Sequence, residues 1–170
     1  MELILGYKRT ELGVIPEDWE VKNLEKIADL TSSKRIFEHE YVSSGIPFYR
    51  GKEISQLIDC EQISDKYFIL ESRYNQIKSE FGVPNRGDIL ITAVGTLGNV
   101  YVVPDESKFY FKDGNLIWLR SIKNADPYYV AAQIRKKKSE THIPQFVSSI
   151  FAKWPVARIT NVELLNTSTI

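Results

Sequence analysis

The sequence lacks several features that define common classes of protein, and each absence narrows the possible functions. Among 170 residues there is one cysteine, Cys60, which excludes an internal disulfide framework and a zinc site made only of cysteines. No apolar run approaches the eighteen residues of a transmembrane helix. The N-terminus also lacks the basic start and the long apolar segment of a secretory signal. We therefore expect a cytoplasmic protein that does not associate with a membrane.

Net charge is absent as well, because 22 Lys and Arg residues balance 22 Asp and Glu residues. This balance argues against binding to nucleic acid through bulk charge alone, but it is compatible with a local basic face. Residues 120–138 form such a segment, with six basic residues against the single acidic residue Asp126. The alternative explanation for this segment is a solvated helix end.

Turn signals and short β-rich runs predict two hairpins. Residues 88–94 and 99–103 flank a turn with a glycine at each end, Gly95 and Gly98. Residues 109–112 and 115–119 flank the dipeptide Asp113-Gly114, which strongly favours a two-residue hairpin turn.

Helical spacing predicts two longer helices around these hairpins. One begins near Ser64 and ends before Gly82, and the other covers residues 128–138 with Asp126 as its N-cap. Pro47 lies in a β-favouring segment and predicts a sheet edge or a loop there. Because nothing repeats and no linker divides the chain, the sequence predicts one α+β domain.

No residue pattern indicates catalysis, a metal site or a cofactor site. A phosphate-binding loop is absent, and His39 and His142 stand without a second ligand at helical or hairpin spacing. Cys60 lies in a strand-like run and is interpreted as a small buried residue. The acidic residues of the segment at 104–108 crowd one turn, whereas a metal-dependent nuclease needs carboxylates that converge from separate elements. We therefore do not expect a stand-alone nuclease.

Polar and aromatic residues at turns are the remaining candidates for function. Arg, Lys, Asn and Gln side chains suit contacts with base edges, and lysine runs suit phosphate. The residues in question are Tyr49, Arg50 and Lys52 around Gly51, Thr96 and Asn99 at the glycine turn, and Lys136, Lys137 and Lys138 leading towards Gln145. Each of them taken alone is better explained as solvated surface, and only their occurrence together favours a binding function.

Six short segments occur in an order that resembles a known family. They are residues 13–21 (GVIPEDWEV), 45–50 (GIPFYR), 87–92 (GDILIT), 95–100 (GTLGNV), 115–120 (NLIWLR) and 145–147 (QFV). Together they resemble the target recognition domain of the specificity subunit in type I restriction–modification systems. The resemblance covers nearly the whole chain.

The resemblance implies a mixed domain with a strand-rich antiparallel core and peripheral helices. In that family a specificity subunit has two such domains, each followed by a long helix that spaces the domains and docks methyltransferase subunits. Each domain reads one half of a split target in double-stranded DNA, and the restriction and modification subunits carry out the chemistry. We therefore expect residues 1–170 to be one recognition domain, without the spacer helix and the second domain, either as a shortened chain or as a natural fragment.

The resemblance also assigns the candidate residues. Those at matching turns are expected to contact DNA bases or backbone: Tyr49, Arg50, Lys52, Thr96, Asn99 and Gln145. The lysine run Lys136–Lys138 is expected on electrostatic grounds to contact phosphate. For Arg50 the alternative is an ion pair with a carboxylate such as Glu53. The alternative for the whole domain is a protein-interaction or inhibitory module that no longer reads DNA.

Overall fold

The computed structural model describes residues 5–10, 13–140 and 155–158, which form strands and helices of a mixed fold. The strands are β1 (Tyr7–Thr10), β2 (Gly13–Pro16), β3 (Glu20–Asn23), β4 (Asp29–Thr31), β5 (Tyr41–Val42), β6 (Ile46–Tyr49), β7 (Tyr67–Ile69), β8 (Ile89–Thr92), β9 (Val100–Val102), β10 (Tyr110–Phe111), β11 (Leu116–Arg120) and β12 (Pro155–Arg158). The α-helices are α1 (Gly51–Ile58), α2 (Glu71–Glu80) and α3 (Pro127–Glu140), and Leu24–Lys26 and Glu38–Glu40 form single 3-10 turns.

The larger core forms around an antiparallel sheet with the strand order β4-β11-β8-β9. Strand β8 is buried on both faces, so its sequence is continuously apolar up to Thr92. Because side chains alternate along a strand, Ile89 and Ile91 pack against α3 and the turn at Leu24, whereas Leu90 packs on the opposite face towards α1. The sheet is thereby covered on both sides.

A second sheet has the strand order β10-β6-β7-β5 and its own apolar cluster. Strands β6 and β10 are parallel, and the other neighbours are antiparallel. Two further pairs, β1 with β2 and β3 with β12, are antiparallel and two-stranded. The fold is therefore the predicted mixed domain, with a mainly antiparallel strand-rich core and helices at its periphery.

Two local predictions are confirmed. Strands β8 and β9 form the predicted hairpin around Gly95 and Gly98, both of which have positive φ. Helix α3 begins at Pro127, and the Tyr129 N–H donates to the Asp126 carboxylate at 2.8 Å, as an N-cap residue requires.

The second predicted hairpin is wrong. Asp113 and Gly114 do form a turn, with Gly114 at φ +70°. However, β10 pairs with β6 and β11 pairs with β4 and β8, so the two strands belong to different sheets. The turn carries the chain from one sheet to the other, because Tyr110 and Leu116 enter different apolar clusters.

The predictions around Ser64 and Pro47 also need correction. The helix begins at Glu71, and the residues before it form strand β7, which pairs with both β5 and β6. Pro47 lies on an interior strand of that sheet and not at its edge. An interior proline is tolerated here because β10 pairs only with Phe48 and Tyr49, beyond the position that lacks an N–H.

Cys60 is exposed and not buried. It follows α1 and has φ +56°, in the left-handed region where a helix commonly terminates. The apolar residues before Cys60 resemble a strand in the sequence, but Ile54, Leu57 and Ile58 form the apolar side of helix α1. This helix is not among those predicted from the sequence.

Candidate nucleic-acid interface

The start of helix α1 positions the first group of candidate residues. Strand β6 ends at Tyr49, Arg50 is the extended N-cap residue, and the helix begins at Gly51. Glu53, at the third helical position, accepts a hydrogen bond from the Arg50 N–H at 2.8 Å. This backward contact satisfies the N–H of the N-cap residue, as the Glu at the third position of a capping box does.

The Arg50 side chain folds back onto the same carboxylate. Its Nε and Nη2 donate to the two Glu53 oxygens at 3.0 and 2.7 Å, and its guanidinium lies 4.2 Å from the centre of the Tyr67 ring. Burial alone would raise the pKa of Glu53, but the hydrogen bonds and charge of Arg50 outweigh it, so this pKa lies below its ordinary value. The pKa of Arg50 is raised, chiefly by its hydrogen bond to Glu53. The ion pair with Glu53, the alternative considered above, is thus the arrangement that the structure contains.

Lys52 occupies the exposed side of the same helical turn. Its Nζ lies 2.9 Å from Asp65, and Arg50 Nη2 lies 3.6 Å from the same carboxylate. The hydrogen bond between Lys52 and Asp65 raises the pKa of Lys52 and lowers that of Asp65. Exposed pairs of this kind are weak in water, so Lys52 remains available to exchange Asp65 for another anion.

The loop between β8 and β9 is held by a compact set of hydrogen bonds. The buried Thr92 hydroxyl donates to the Thr96 carbonyl and accepts from the Asn99 N–H. The Gly98 N–H donates to the Thr92 carbonyl at 2.7 Å, and the Ala93 N–H donates to the Asn115 carbonyl at 2.8 Å. The loop is therefore braced from both of its ends.

Asn99 and Ser55 connect this loop to helix α1. The Asn99 amide donates to the Ser55 hydroxyl at 3.0 Å, and that hydroxyl donates to the Gly51 carbonyl at 3.0 Å. The loop also approaches the start of the helix closely, because a Cβ placed at Gly51 would lie 3.4 Å from the Val94 carbonyl oxygen. The helix start and the glycine turn thus form one surface, which we call the α1–glycine-turn surface, comprising residues 50–56 and 94–99.

A cavity of about 360 Å³ opens on the α1–glycine-turn surface, with Lys52 and Thr96 among its lining residues. Asp59 and Glu61 line the cavity as well. The electrostatics therefore favour an anion near Lys52 and disfavour one near the two carboxylates.

The structure brings four predicted residues together and separates the others. Arg50, Lys52, Thr96 and Asn99 belong to the α1–glycine-turn surface. Tyr49 is half-buried, packs at a tilt against Phe109 with ring centres 5.3 Å apart, and lines a different cavity of about 210 Å³.

The basic segment at the end of α3 is described only in part. Lys136 is exposed near the end of the helix, and Lys137 and Lys138 follow it within the same helix. Gln145 lies outside the described residues. The neighbouring Arg135 donates to the Val100 carbonyl at 2.9 Å, which attaches this helix to strand β9.

Three residues of the α1–glycine-turn surface escaped the sequence interpretation: Ser55, Gln56 and Val94. Ser55 and Gln56 are predictable once a helix is predicted to begin at Gly51. The sequence signal for that helix is the spacing of Ile54, Leu57 and Ile58, together with a glutamate at the third helical position. No sequence signal distinguishes Val94 from the buried residues of the preceding strand.

Within the part of the chain that the structure describes, no group of His, Cys, Asp and Glu residues is arranged to hold a metal ion. The described helices are likewise too short or too polar to cross a membrane.

Comparison with known proteins identifies relatives of one kind. A putative type I restriction enzyme specificity subunit from Haemophilus influenzae, S.HindORF215P, is 32% identical over 114 residues, which cover 66% of this chain and 28% of that protein. The putative type I restriction enzyme MjaX specificity subunit of Methanocaldococcus jannaschii is 32% identical over 144 residues, covering 79% of this chain and 32% of the relative. The chain thus spans about a third of the length of these curated relatives.

The fold comparison agrees with the sequence comparison. The crystal structure of the HsdS subunit from Thermoanaerobacter tengcongensis superposes with a TM-score of 0.59 at 14% identity, over 90% of this chain and 36% of that one. The family model of the type I restriction modification DNA specificity domain matches residues 16–157. That match includes every strand from β3 to β11, all but the last residue of β12, and both elements of the α1–glycine-turn surface. By this match the chain belongs to the type I restriction–modification DNA specificity domain family.

Proposed function

We propose that this chain is a sequence-specific DNA-binding module that reads one half of a bipartite target in double-stranded DNA. The observation that carries the proposal is the α1–glycine-turn surface, where Lys52, Thr96 and Asn99 meet on rigid elements in a member of the specificity domain family. Hydroxyl and amide groups suit base edges, and an exposed lysine suits a phosphate or a guanine.

Rigid presentation supports this role. Asn99 is held by Ser55, and its own backbone N–H is held by Thr92, so neither the loop nor the helix start has to rearrange before binding. Pre-organised groups lose less conformational entropy when they bind, which favours selective contacts on a small surface.

We assign Arg50 a positioning role in this module. Its guanidinium donates to Glu53 and lies against Tyr67, and these contacts connect the start of α1 to strand β7. Tyr49 and Gln145 remain proposed DNA contacts on the family resemblance, and Lys136–Lys138 remain proposed phosphate contacts on their charge.

The partners follow from the kind of protein to which the relatives belong. We propose that this module directs methyltransferase and restriction subunits to DNA, that it performs no chemistry itself, and that it acts in the cytoplasm. The relatives are specificity subunits of type I restriction enzymes, and the matched segments cover only 28% and 32% of them. The recruitment of methyltransferase and restriction subunits is therefore proposed for a full-length specificity subunit that contains this module.

The test is selection of bound duplexes from a random DNA library with the 170-residue chain at physiological salt. We expect an enriched sequence, and we expect Lys52→Ala to weaken binding to it. Lys108→Ala is the matched control, because Lys108 is exposed to a similar degree and pairs with Glu71 at 2.7 Å, but it does not line the cavity of the α1–glycine-turn surface. Failure to enrich any sequence, or equal reductions in affinity from both variants, would contradict the proposal.

A further inference from the structure

Val94 is an apolar residue exposed on an otherwise polar surface. Val94 lies two positions after the fully buried strand β8, yet it is 54% exposed. It lines the same cavity as Lys52, Gln56 and Thr96. An apolar side chain among groups suited to DNA offers a contact that none of its polar neighbours can make.

The backbone around Val94 is fixed on both sides. Before it, the Ala93 N–H donates to the Asn115 carbonyl, and after it the Thr96 carbonyl accepts a hydrogen bond from the Thr92 hydroxyl. Its own carbonyl lies against Gly51 at the start of α1. Valine is also branched at Cβ, which restricts its side-chain rotation. The exposed methyl groups are therefore held in one place.

Exposure alone does not mark a functional residue, since single apolar side chains are common on protein surfaces. Val14 illustrates the point, because it is 53% exposed on the β1–β2 hairpin. Val94 differs from Val14 in lining a cavity that also contains a lysine, a threonine and a glutamine.

The chemistry that fits this arrangement is the 5-methyl group of thymine. In the major groove each base pair presents a distinct pattern of donors and acceptors, and thymine alone adds an apolar group there. Apolar side chains recognise that methyl group by excluding water from it, and polar neighbours contact the adjacent donors and acceptors.

We propose that Val94 is a specificity-determining residue that contacts a thymine methyl group in the DNA target. This inference rests on the proposed DNA-binding function and adds one base position to it. A phosphate contact is excluded for this side chain, because valine has neither a charge nor a hydrogen-bond donor beyond its backbone.

The experiment uses the selected duplex and a series in which each thymine is replaced, one at a time, by deoxyuridine, which lacks only the methyl group. For the unmodified chain we expect one replacement to weaken binding about fourfold, the factor that corresponds to burying one methyl group. Val94→Ala should bind the thymine duplex more weakly and no longer respond to deoxyuridine at that position. Val14→Ala is the matched control and should behave as the unmodified chain.

Each result has a distinct meaning. If selection succeeds but no thymine position responds to deoxyuridine, or if Val94→Ala responds as the unmodified chain does, the role of Val94 is refuted and the DNA-binding function stands. If no sequence is selected at all, the proposed function fails and the inference fails with it. An unfolding temperature of Val94→Ala equal to that of the unmodified chain verifies that the variant is folded.

Discussion

Replacement of Arg50 by alanine is expected to destabilise the fold strongly, although Arg50 lies at the surface. The change removes the guanidinium from Glu53, whose side chain is 0% exposed, while that of Arg50 is 28% exposed. Removing one partner of a buried ion pair leaves an uncompensated charge and costs about 3–5 kcal/mol. Because Arg50 is partly exposed and water can enter its place, we expect the free energy of unfolding to fall by about 3 kcal/mol, at the lower end of that range.

A second arginine provides the control. Arg73 and Glu40 form an ion pair of 2.9 Å, and their side chains are 30% and 22% exposed. The two arginines are therefore about equally accessible. The pairs differ in the burial of the carboxylate, and Arg50 also donates two hydrogen bonds to it and lies against Tyr67, whereas Arg73 donates one to Glu40. Arg73→Ala should lower the free energy of unfolding by only about 0–1 kcal/mol.

The pH dependence of folding stability provides an independent test, because its direction should differ between the unmodified chain and Arg50→Ala. In the unmodified chain the folded-state pKa of Glu53 lies below its ordinary value of 4.5, so the stabilisation is present at neutral pH and is lost as the pH falls through the folded pKa. In Arg50→Ala the main-chain N–H of residue 50 still donates to Glu53, but the guanidinium is lost. Burial, the largest influence on this carboxyl, should then raise the pKa of Glu53 above the value in the unfolded chain. The folded variant then binds more protons than the unfolded one, and its stability should increase as the pH falls from 7 to about 5.

The assay is urea unfolding of both variants and the unmodified chain at pH 7 and pH 5, followed by circular dichroism. A decrease of about 1 kcal/mol or less for Arg50→Ala, equal to that of Arg73→Ala and unaffected by pH, would refute the inference that a buried carboxylate depends on Arg50. Base preference measured with folded Arg50→Ala then tests the positioning role, which predicts weaker binding with the preferred bases unchanged.

Two further changes probe the backbone and the basic helix end. Gly45→Ala should prevent stable folding, because Gly45 has φ +144° and an added Cβ would lie 2.5 Å from the Ile69 carbonyl oxygen. Thermal unfolding tests this, and a melting temperature within a few degrees of that of the unmodified chain would contradict it. Replacing Lys136, Lys137 and Lys138 together by alanine should weaken binding to all duplexes alike and reduce the salt slope of binding by about 0.9 for each phosphate that is no longer neutralised. A changed base preference with an intact salt slope would count against that assignment.

Predictions from the sequence succeed here where local chemistry decides the structure. The glycines of the β8–β9 turn and the Asp126-Pro127 start of α3 act through their own backbone geometry, and both elements form as expected. The pairing of β10 fails because Asp113-Gly114 specifies a turn but not the sheet that each flanking strand joins. That choice depends on packing between residues distant in the sequence.

In the candidate site, too, local contacts are predictable from the sequence and contacts between distant residues are not. An ion pair between Arg50 and Glu53 is foreseeable, because the two residues are three positions apart. The complete burial of Glu53 is not, since it depends on how α1 packs against the sheets, and the expected cost of breaking the pair rises accordingly. The link from Asn99 to Ser55 spans 44 positions and has no local signal.

The pairing of β3 with β12 has a consequence for the order in which the domain assembles. The contact between Asn23 and Pro155 closes a loop of about 130 residues. For a flexible chain that closure costs about 4 kcal/mol in entropy, whereas the β8–β9 hairpin closes a short loop at much lower cost. Strand β12 should therefore dock last, onto a core that has already formed, and it should be the first strand to detach in a partial unfolding event. A domain closed by strand β12 completes its fold only after the chain has been synthesised as far as Arg158.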